Sequence, residues 1–371
     1  MAGKKCVAVI FGGQSPEHEV SRASAQSIIS NIDKNRFDVA MIGITKEGRW
    51  LAYNGPVEKL GNGEWQKIAE TGNDGKVQYN ALPVVIDNNS FRCFINNLCG
   101  GERKIDVVIP VLHGCNGEDG TIQGFFELAD IPYVGCGVVS SAIGMDKGIA
   151  KIVFEKEGIP QANYLVFNRK QLENDIVAIA GKIEESLGYP CFVKPCNAGS
   201  SVGVSKADSR DGLYKALELA AQYDRRILVE EYINGREVEC SVLGNDEPEA
   251  SIVGEIIPCN EFYDYEAKYS SKSTSEIRIP AKLPEDTINR IRDYAVRAFK
   301  ALDCSGLSRV DFFVHRETGR IYLNEINTFP GFTSISMYPK LWEATGIPYG
   351  QLIESLIDLA LERYESKKRE I

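Results

Sequence analysis

The residues best suited to chemistry lie between Arg309 and Asn327. Val310-Asp311-Phe312-Phe313-Val314 and Ile321-Tyr322-Leu323-Asn324-Glu325-Ile326 read as strands, and the turn-like His315-Arg316-Glu317-Thr318-Gly319-Arg320 joins them. Strand side chains alternate faces, so Arg309, Asp311 and Phe313 share one face, and Leu323, Glu325 and Asn327 share one. A hairpin centred on Thr318 sets Asp311 opposite Glu325, Arg309 opposite Asn327 and Phe313 opposite Leu323. Two carboxylates directly across a ladder repel each other. A divalent cation removes that conflict. An oxygen-only set suits Mg²⁺, which takes its remaining ligands from phosphates and water. The hairpin alone leaves a second reading open, a slipped register with two ordinary surface acids. The loop that follows, Asn327-Thr328-Phe329-Pro330-Gly331-Phe332-Thr333-Ser334, is rich in N–H donors and hydroxyls. Such a loop can hold an anion or a developing oxyanion, or simply connect two elements.

Phosphate chemistry has candidates elsewhere. Lys194-Pro195-Cys196-Asn197-Ala198-Gly199-Ser200-Ser201-Val202-Gly203 is a lysine followed by a flexible loop. No Gly-Lys-Ser/Thr opens a helix there, so it is not a Walker A sequence. Its amides and hydroxyls can still fold over a triphosphate while Lys194 neutralises charge. Lys147 stands at a helix start, where the dipole also favours anions. Glu230 and Glu237 could accept from an adenine amino group and a ribose hydroxyl. Each of these side chains, taken singly, could equally be solvated surface.

The elements that must position these residues can be outlined. Residues 6–11 form a buried strand ending at Gly12-Gly13, and a helix follows from about Val20 to Ile32 with Ser24, Ser27 and Ser30 on its polar face. Phe37 to Ile44, Asp106 to Leu112 and the short Ile131-Pro132-Tyr133-Val134 are further strands, with a helix from about Thr121. Strands alternating with helices imply a parallel, doubly wound sheet over 1–140, with ligands at the strands' carboxyl ends. The segment 48–104 reads as an embellishment. A small α+β unit is expected over 141–226. It holds helices at Lys147 to Glu157, 171–187 and 211–222, and a hairpin of Tyr189 to Pro195 with the return strand Val202 to Ser205. A third unit over 227–371 holds mixed strands, the 310–326 hairpin and a terminal helix at about 349–364.

The 371 residues exceed one compact core, and 43% hydrophobic with 25% charged residues describe an ordinary globular chain. A net charge of −10 argues against nucleic acid or an anionic membrane as the main partner. The ten cysteines include no C-x-x-C pair and read as buried free thiols in a reducing cytoplasm. The longest apolar runs, such as Val107 to Leu112, are far too short to span a bilayer.

Together these elements resemble the ATP-grasp ligases, specifically the D-alanine–D-alanine ligases. The likeness rests on Phe11 to Ser21, His113 to Thr121, Met145-Asp146-Lys147, Lys194 to Ser205, Phe262 to Tyr269, Ser308-Arg309-Val310-Asp311 and Asn324 to Met337, in that order. It implies that ATP phosphorylates a first D-alanine carboxylate and that the amine of a second D-alanine attacks the acyl phosphate. It implies two Mg²⁺ or Mn²⁺ ions on Asp311, Glu325 and Asn327. Lys147, Lys194 and Ser201 become phosphate contacts, and Glu230, Glu231, Ile233 and Glu237 the adenine and ribose contacts. Glu17 becomes the anchor of the first ammonium, with His113 nearby. Glu17, Ser200 and Tyr269 form a triad closing a lid over about 262–278, which excludes water from the acyl phosphate. Arg309 and the Gly331 N–H stabilise the oxyanion, and Ser336 with Lys268 receives the second carboxylate. A homodimer through the N-terminal unit is implied as well.

Two positions favour the dipeptide product over D-alanyl-D-serine or D-alanyl-D-lactate. Tyr269 is the residue expected of dipeptide ligases, and Met337 fits a pocket built for a methyl group. Cys196 departs from the small polar residue expected in the phosphate loop. If Lys194 lowers its pKa, it makes the site sensitive to oxidation.

Overall fold

The computed structural model describes residues 3–71, 104–257 and 276–368. The N-terminal sheet has the order β3-β2-β1-β4, formed by β1 (Lys5–Gly12), β2 (Phe37–Ile44), β3 (Trp50–Tyr53) and β4 (Val107–Val111). β1 runs parallel to β2 and β4, as alternation with helices requires, and β3 adds an antiparallel edge. Both neighbours of β1 cover it, so Val7 to Phe11 can be continuously apolar and all are buried. The expected strand at 131–134 is reduced to one bridge, Val108 to Tyr133.

Two helices pack on this sheet. α1 (His18–Asn31) follows the Gly12-Gly13 turn, and α2 (Trp65–Thr71) packs Trp65 edge-on against Phe11. α1 does not present Ser24 to water. Ser24 and Ser21 are fully buried, because their hydroxyls tie loops together beneath the site. α3 (Thr121–Leu128) and α4 (Val138–Met145) lead to the central unit.

That unit carries α5 (Lys147–Lys156), β5 (Tyr164–Asn168), α6 (Arg169–Ser186), β6 (Cys191–Pro195), β7 (Ser205–Ala207), α7 (Arg210–Tyr223) and β8 (Arg226–Glu231). Its sheet, β5-β8-β6-β7, is antiparallel. Two details differ from the sequence reading. The return strand begins at Ser205, because Gly199 to Val204 form turns, with Ser200, Ser201 and Gly203 at positive φ. The strand after the expected 226/227 boundary is the centre of this sheet, since β8 pairs with both β5 and β6.

The third sheet is β11-β10-β9-β12-β13, formed by β9 (Gly235–Gly244), β10 (Glu249–Ile257), β11 (Glu276–Arg278), β12 (Gly306–His315) and β13 (Ile321–Asn327). A mixed sheet was expected, but its described strands pair antiparallel throughout. The parallel component is a single bridge from Gln161 to Leu323 at the β13 edge. α8 (Glu285–Ala301) covers one face. α9 (Met337–Thr345) and α10 (Tyr349–Ser366) close the chain, and α10 returns to the first unit. Its Leu352, Ile353, Leu356 and Ile357 share one core with Val7, Val9, Ile109 and Ile28. No described helix is long and apolar enough to cross a membrane.

Candidate active site

The β12–β13 hairpin holds the acids as expected at its open end. Arg309 faces Asn327 and Asp311 faces Glu325. Beyond that point the register shifts, so Phe312 pairs with Leu323 and Phe313 with Tyr322 rather than with Leu323. Asn324 is the extra residue of a bulge. The bulge separates Leu323 from Glu325. Leu323 joins Phe312 in the core, while Asn324 and Glu325 remain partly exposed. The expectation that Leu323, Glu325 and Asn327 share a face therefore fails at Leu323, because simple alternation cannot anticipate an inserted residue.

Asp311 is buried and heavily engaged. Arg309 Nε and Nη2 donate to its two oxygens, each at 2.7 Å, and Asn327 Nδ2 donates to Oδ2 at 3.0 Å. Arg309 Nε also lies 2.9 Å from Glu239 Oε2. Burial opposes a charged guanidinium, but Asp311 and Glu239 outweigh it and hold Arg309 firmly protonated.

Lys147 connects this sheet to the Gly-Ser loop. Its Nζ donates to Ala198 O at 2.8 Å and stands 3.4 Å from Glu325 Oε2. Asp146 caps the helix by accepting from Ile149 N, which fixes where Lys147 begins. Lys194 reaches the same place from β6, donating to Asn324 Oδ1 at 3.3 Å. Its other partner is Glu230 Oε2 at 2.5 Å, and Lys151 Nζ sits 2.5 Å from Glu230 Oε1. Glu230 is thus an interior carboxylate between two ammonium groups, not a solvated acid. Burial would raise its pKa, but Lys151 and Lys194 outweigh that and hold it at about 2. Burial likewise opposes the Lys194 charge, and Glu230 overrides it and raises the pKa. Glu237, on β9, is half-buried, and its charge also reaches Lys194. Glu231 accepts from Asn163 N and Nδ2 at 2.8 and 3.1 Å, and Ile233 is half-buried beyond it.

The N-terminal unit contributes Glu17 and the loop after β4. A Cβ on Gly199 would lie 3.1 Å from Glu17 Oε2, and one on Gly114 only 2.6 Å from it. The Glu17 carboxylate therefore nestles between two glycine backbones from different units. Ser200 Oγ, next in the loop, is buried with no hydrogen-bond partner among the described residues, and Ser201 follows it in the same turn. His113 is buried. Its Nδ1 donates to Phe329 O at 3.1 Å, and Nε2 is 3.3 Å from Ser24 Oγ. Burial lowers its pKa, so the ring is neutral near pH 7.

The loop after β13 is tied to the N-terminal unit at several points. Phe329 N donates to Glu118 Oε1 at 3.1 Å, and Phe332 N donates to Ser24 Oγ at 3.2 Å. Tyr349 donates to Phe332 O. Burial and the Glu17 charge push Glu118 up to about 8. Ser336 Oγ accepts from Thr333 N at 3.0 Å and would be 3.1 Å from a Cβ on Gly331, so its hydroxyl lies beside that backbone. Met337 is buried with Ile256 and Leu341, a packed cluster of its own.

Glu118, Lys151, Glu239, Asn324 and Ser24 all belong to this network, and sequence reasoning named none of them for it. The Glu118 signal was present in the His113 to Thr121 loop. The others are ordinary-looking helix and strand residues. Lys268 and Tyr269, with most of the expected lid, lie outside the described residues. Cys196 does not have the lowered pKa that would make the site sensitive to oxidation. Burial pushes its thiol up to about 12, so it is not an activated thiolate. The described cysteines are all free, and all but Cys115 are buried.

The oxygen donors of Asp311, Glu325 and Asn327 suit a hard divalent cation. Among the described residues no three His, Cys, Asp or Glu side chains converge to hold a metal unaided. A cation there would share its shell with phosphate and water. That donor set fits a magnesium-type ion.

The family description "D-ala D-ala ligase N-terminus" matches residues 6–136, and "D-ala D-ala ligase C-terminus" matches residues 153–358. The chain is 64% identical to a D-alanine–D-alanine ligase of Ruminiclostridium cellulolyticum, over 99% of this chain and 98% of that one. It is 63% identical to the one of Acetivibrio thermocellus, over 100% and 99%. Among solved structures it is similar to VanG D-Ala:D-Ser ligase from Enterococcus faecalis. That likeness has a TM-score of 0.81 at 43% identity and covers 96% of this chain and 100% of that one. The D-alanine–D-alanine ligase from Coxiella burnetii also gives 0.81, at 35% identity over 98% and 97%. With both halves matched and full-length relatives at this identity, the chain belongs to the D-alanine–D-alanine ligase family.

Proposed function

We infer that this enzyme joins two D-alanines at the expense of ATP, giving D-alanyl-D-alanine, ADP and phosphate, a step of peptidoglycan precursor synthesis. The observation that carries the reading is Lys147, which bonds the Gly-Ser loop and approaches Glu325 at once. A triphosphate lying between those elements meets Lys147 and Lys194 along its length, with Ser201 over it and Glu230, Glu231, Ile233 and Glu237 toward the adenosine end. Mg²⁺ or Mn²⁺, two ions on Asp311, Glu325 and Asn327, would supply charge neutralisation at the phosphate oxygens.

Glu17 receives the ammonium of the first D-alanine, and neutral His113 adds no competing positive charge. The D-alanine carboxylate attacks the γ-phosphorus, ADP leaves, and a D-alanyl phosphate forms. The amine of the second D-alanine attacks the acyl carbon. Arg309 and the Gly331 N–H face the oxyanion that develops. Collapse expels phosphate and forms the amide, with one proton lost from the amine. Ser336, beside Gly331, receives the second carboxylate together with Lys268. Ser200, whose buried hydroxyl bonds none of the described residues, would turn to Glu17 and Tyr269 when the lid closes. Met337, buried with Ile256 and Leu341, lends an apolar wall and no polar group for a seryl hydroxyl.

Supplied with ATP, Mg²⁺ and D-alanine alone, the enzyme is expected to release phosphate and form a product of dipeptide mass. No dipeptide at neutral pH, with turnover on mixed D-alanine and D-serine, overturns the substrate reading. Asp311→Asn and Glu325→Gln should each lower kcat by about 100-fold or more while circular dichroism stays unchanged. Near-normal rates in both remove the metal assignment. We place the enzyme in the cytoplasm, consistent with its free thiols. Exposed Leu128, Val138 and Val139 support a homodimer through the N-terminal unit, which light scattering would register.

A further inference from the structure

Three carboxylates stand side by side on adjacent strands of the C-terminal sheet. Glu239 on β9 is in register with Asp311 on β12, which is in register with Glu325 on β13. Glu239 and Asp311 are each only 3% exposed. The Arg309 guanidinium lies between the first two, its Nε 2.7 Å from Asp311 Oδ1 and 2.9 Å from Glu239 Oε2. The single N–H at Nε must serve one of these acceptors or be shared between them.

Asp311 is also the carboxylate with most claims on it. A carboxylate offers roughly four lone-pair positions. Arg309 takes two and Asn327 takes one. A divalent cation on Asp311 must displace or share with these donors. Arg309 then needs another acceptor, because a buried charge left unpaired is costly. Glu239 stands within reach of the same nitrogen and has no other part in the reaction derived above.

We propose that Glu239 is a positioning residue, holding the Arg309 guanidinium in place when Asp311 turns its oxygens toward a divalent cation. The proposal rests on the reading of Asp311 as a metal ligand and of Arg309 as facing the acyl oxygen. Without the Glu239 charge, Arg309 falls back on Asp311, and the guanidinium and the cation compete for one carboxylate. Two losses follow together, weaker metal binding and a slower chemical step.

The test uses the full chain with Glu239→Gln, which keeps the shape and removes the charge, and Glu239→Asp, which keeps the charge. Mn²⁺ is titrated in the presence of ADP and followed by the paramagnetic resonance of the free ion. Kinetics and thermal unfolding are measured in parallel. Glu239→Gln should weaken Mn²⁺ binding and lower kcat, each by about tenfold. The KM for the second D-alanine should change by less than about twofold, and Glu239→Asp should recover part of both losses. Wild-type Mn²⁺ affinity and kcat in Glu239→Gln overturn the proposal. So does a fall in kcat that tracks lost thermal stability at unchanged Mn²⁺ affinity, the mark of a packing role. The Mn²⁺ titration needs no turnover, so it decides this point even if the wild-type enzyme makes no dipeptide, which would sink the substrate reading alone.

Discussion

At the scale of single residues, the site is organised by charges that hold one another in the interior. Glu230 is the clearest case, buried between Lys151 and Lys194. Replacing it by Gln leaves two ammonium groups facing each other without a counter-charge, which should cost about 3–5 kcal/mol at pH 7. The pH dependence follows from the sign of the shift. Its carboxyl is held at about 2 against an ordinary value of 4.5. The stability it confers is therefore present above pH 4.5 and is lost as pH falls through 2. In urea unfolding, the gap between wild type and Glu230→Gln should be full at pH 7 and narrow as pH falls below 4.5. A gap that does not change with acidification would show that the ion pairs are not its source.

Elements matter here mainly through two backbone irregularities. The bulge at Asn324 lets one strand place Leu323 in the core while presenting two consecutive polar residues, Asn324 to Lys194 and Glu325 to Lys147. The Gly12-Gly13 turn is the second. Gly12 has φ +94, and a Cβ there would fall 2.1 Å from Ile44 O. This turn delivers α1, and with it Glu17 and Ser24, to the site. Gly12→Ala should therefore lose at least about 2 kcal/mol, from left-handed strain and the backbone clash together. Gly124 offers an internal contrast. It lies within α3 with nothing within 4 Å of an added Cβ. Gly124→Ala should gain about 0.5–1 kcal/mol. Equal effects in the two variants would refute the geometric argument.

For the molecule as a whole, the last helix closes the structure on its first unit. α10 lends Leu356 to the core beneath β4 and α1, where Phe329 and Phe332 of the candidate oxyanion loop also pack. Truncating Leu356 to Ala should destabilise the protein by about 2–5 kcal/mol. Because the loop shares that core and none of the ATP contacts named above does, kcat should fall by a larger factor than the KM for ATP rises. Steady-state kinetics below the unfolding temperature would check this, and an effect confined to the KM for ATP would contradict it.

Much of this was legible in the residues themselves. Alternation with a turn centred on Thr318 placed Asp311 across from Glu325 and Arg309 across from Asn327, and both pairs are present, but the turn itself is centred between Glu317 and Thr318 and the extra residue Asn324 restores the register. The ordered matches from Phe11 to Met337 pointed to the family and its chemistry. Local pattern could not reveal the bulge at Asn324, since one added residue leaves no periodic mark. Nor could it reveal that Glu230 is sealed between Lys151 and Lys194, that Ser24 is buried under the site, or that burial disarms Cys196. Those outcomes depend on which segments far apart in the chain come to lie together. Burial and counter-charge are properties of the assembled fold, and only the tertiary structure decided them.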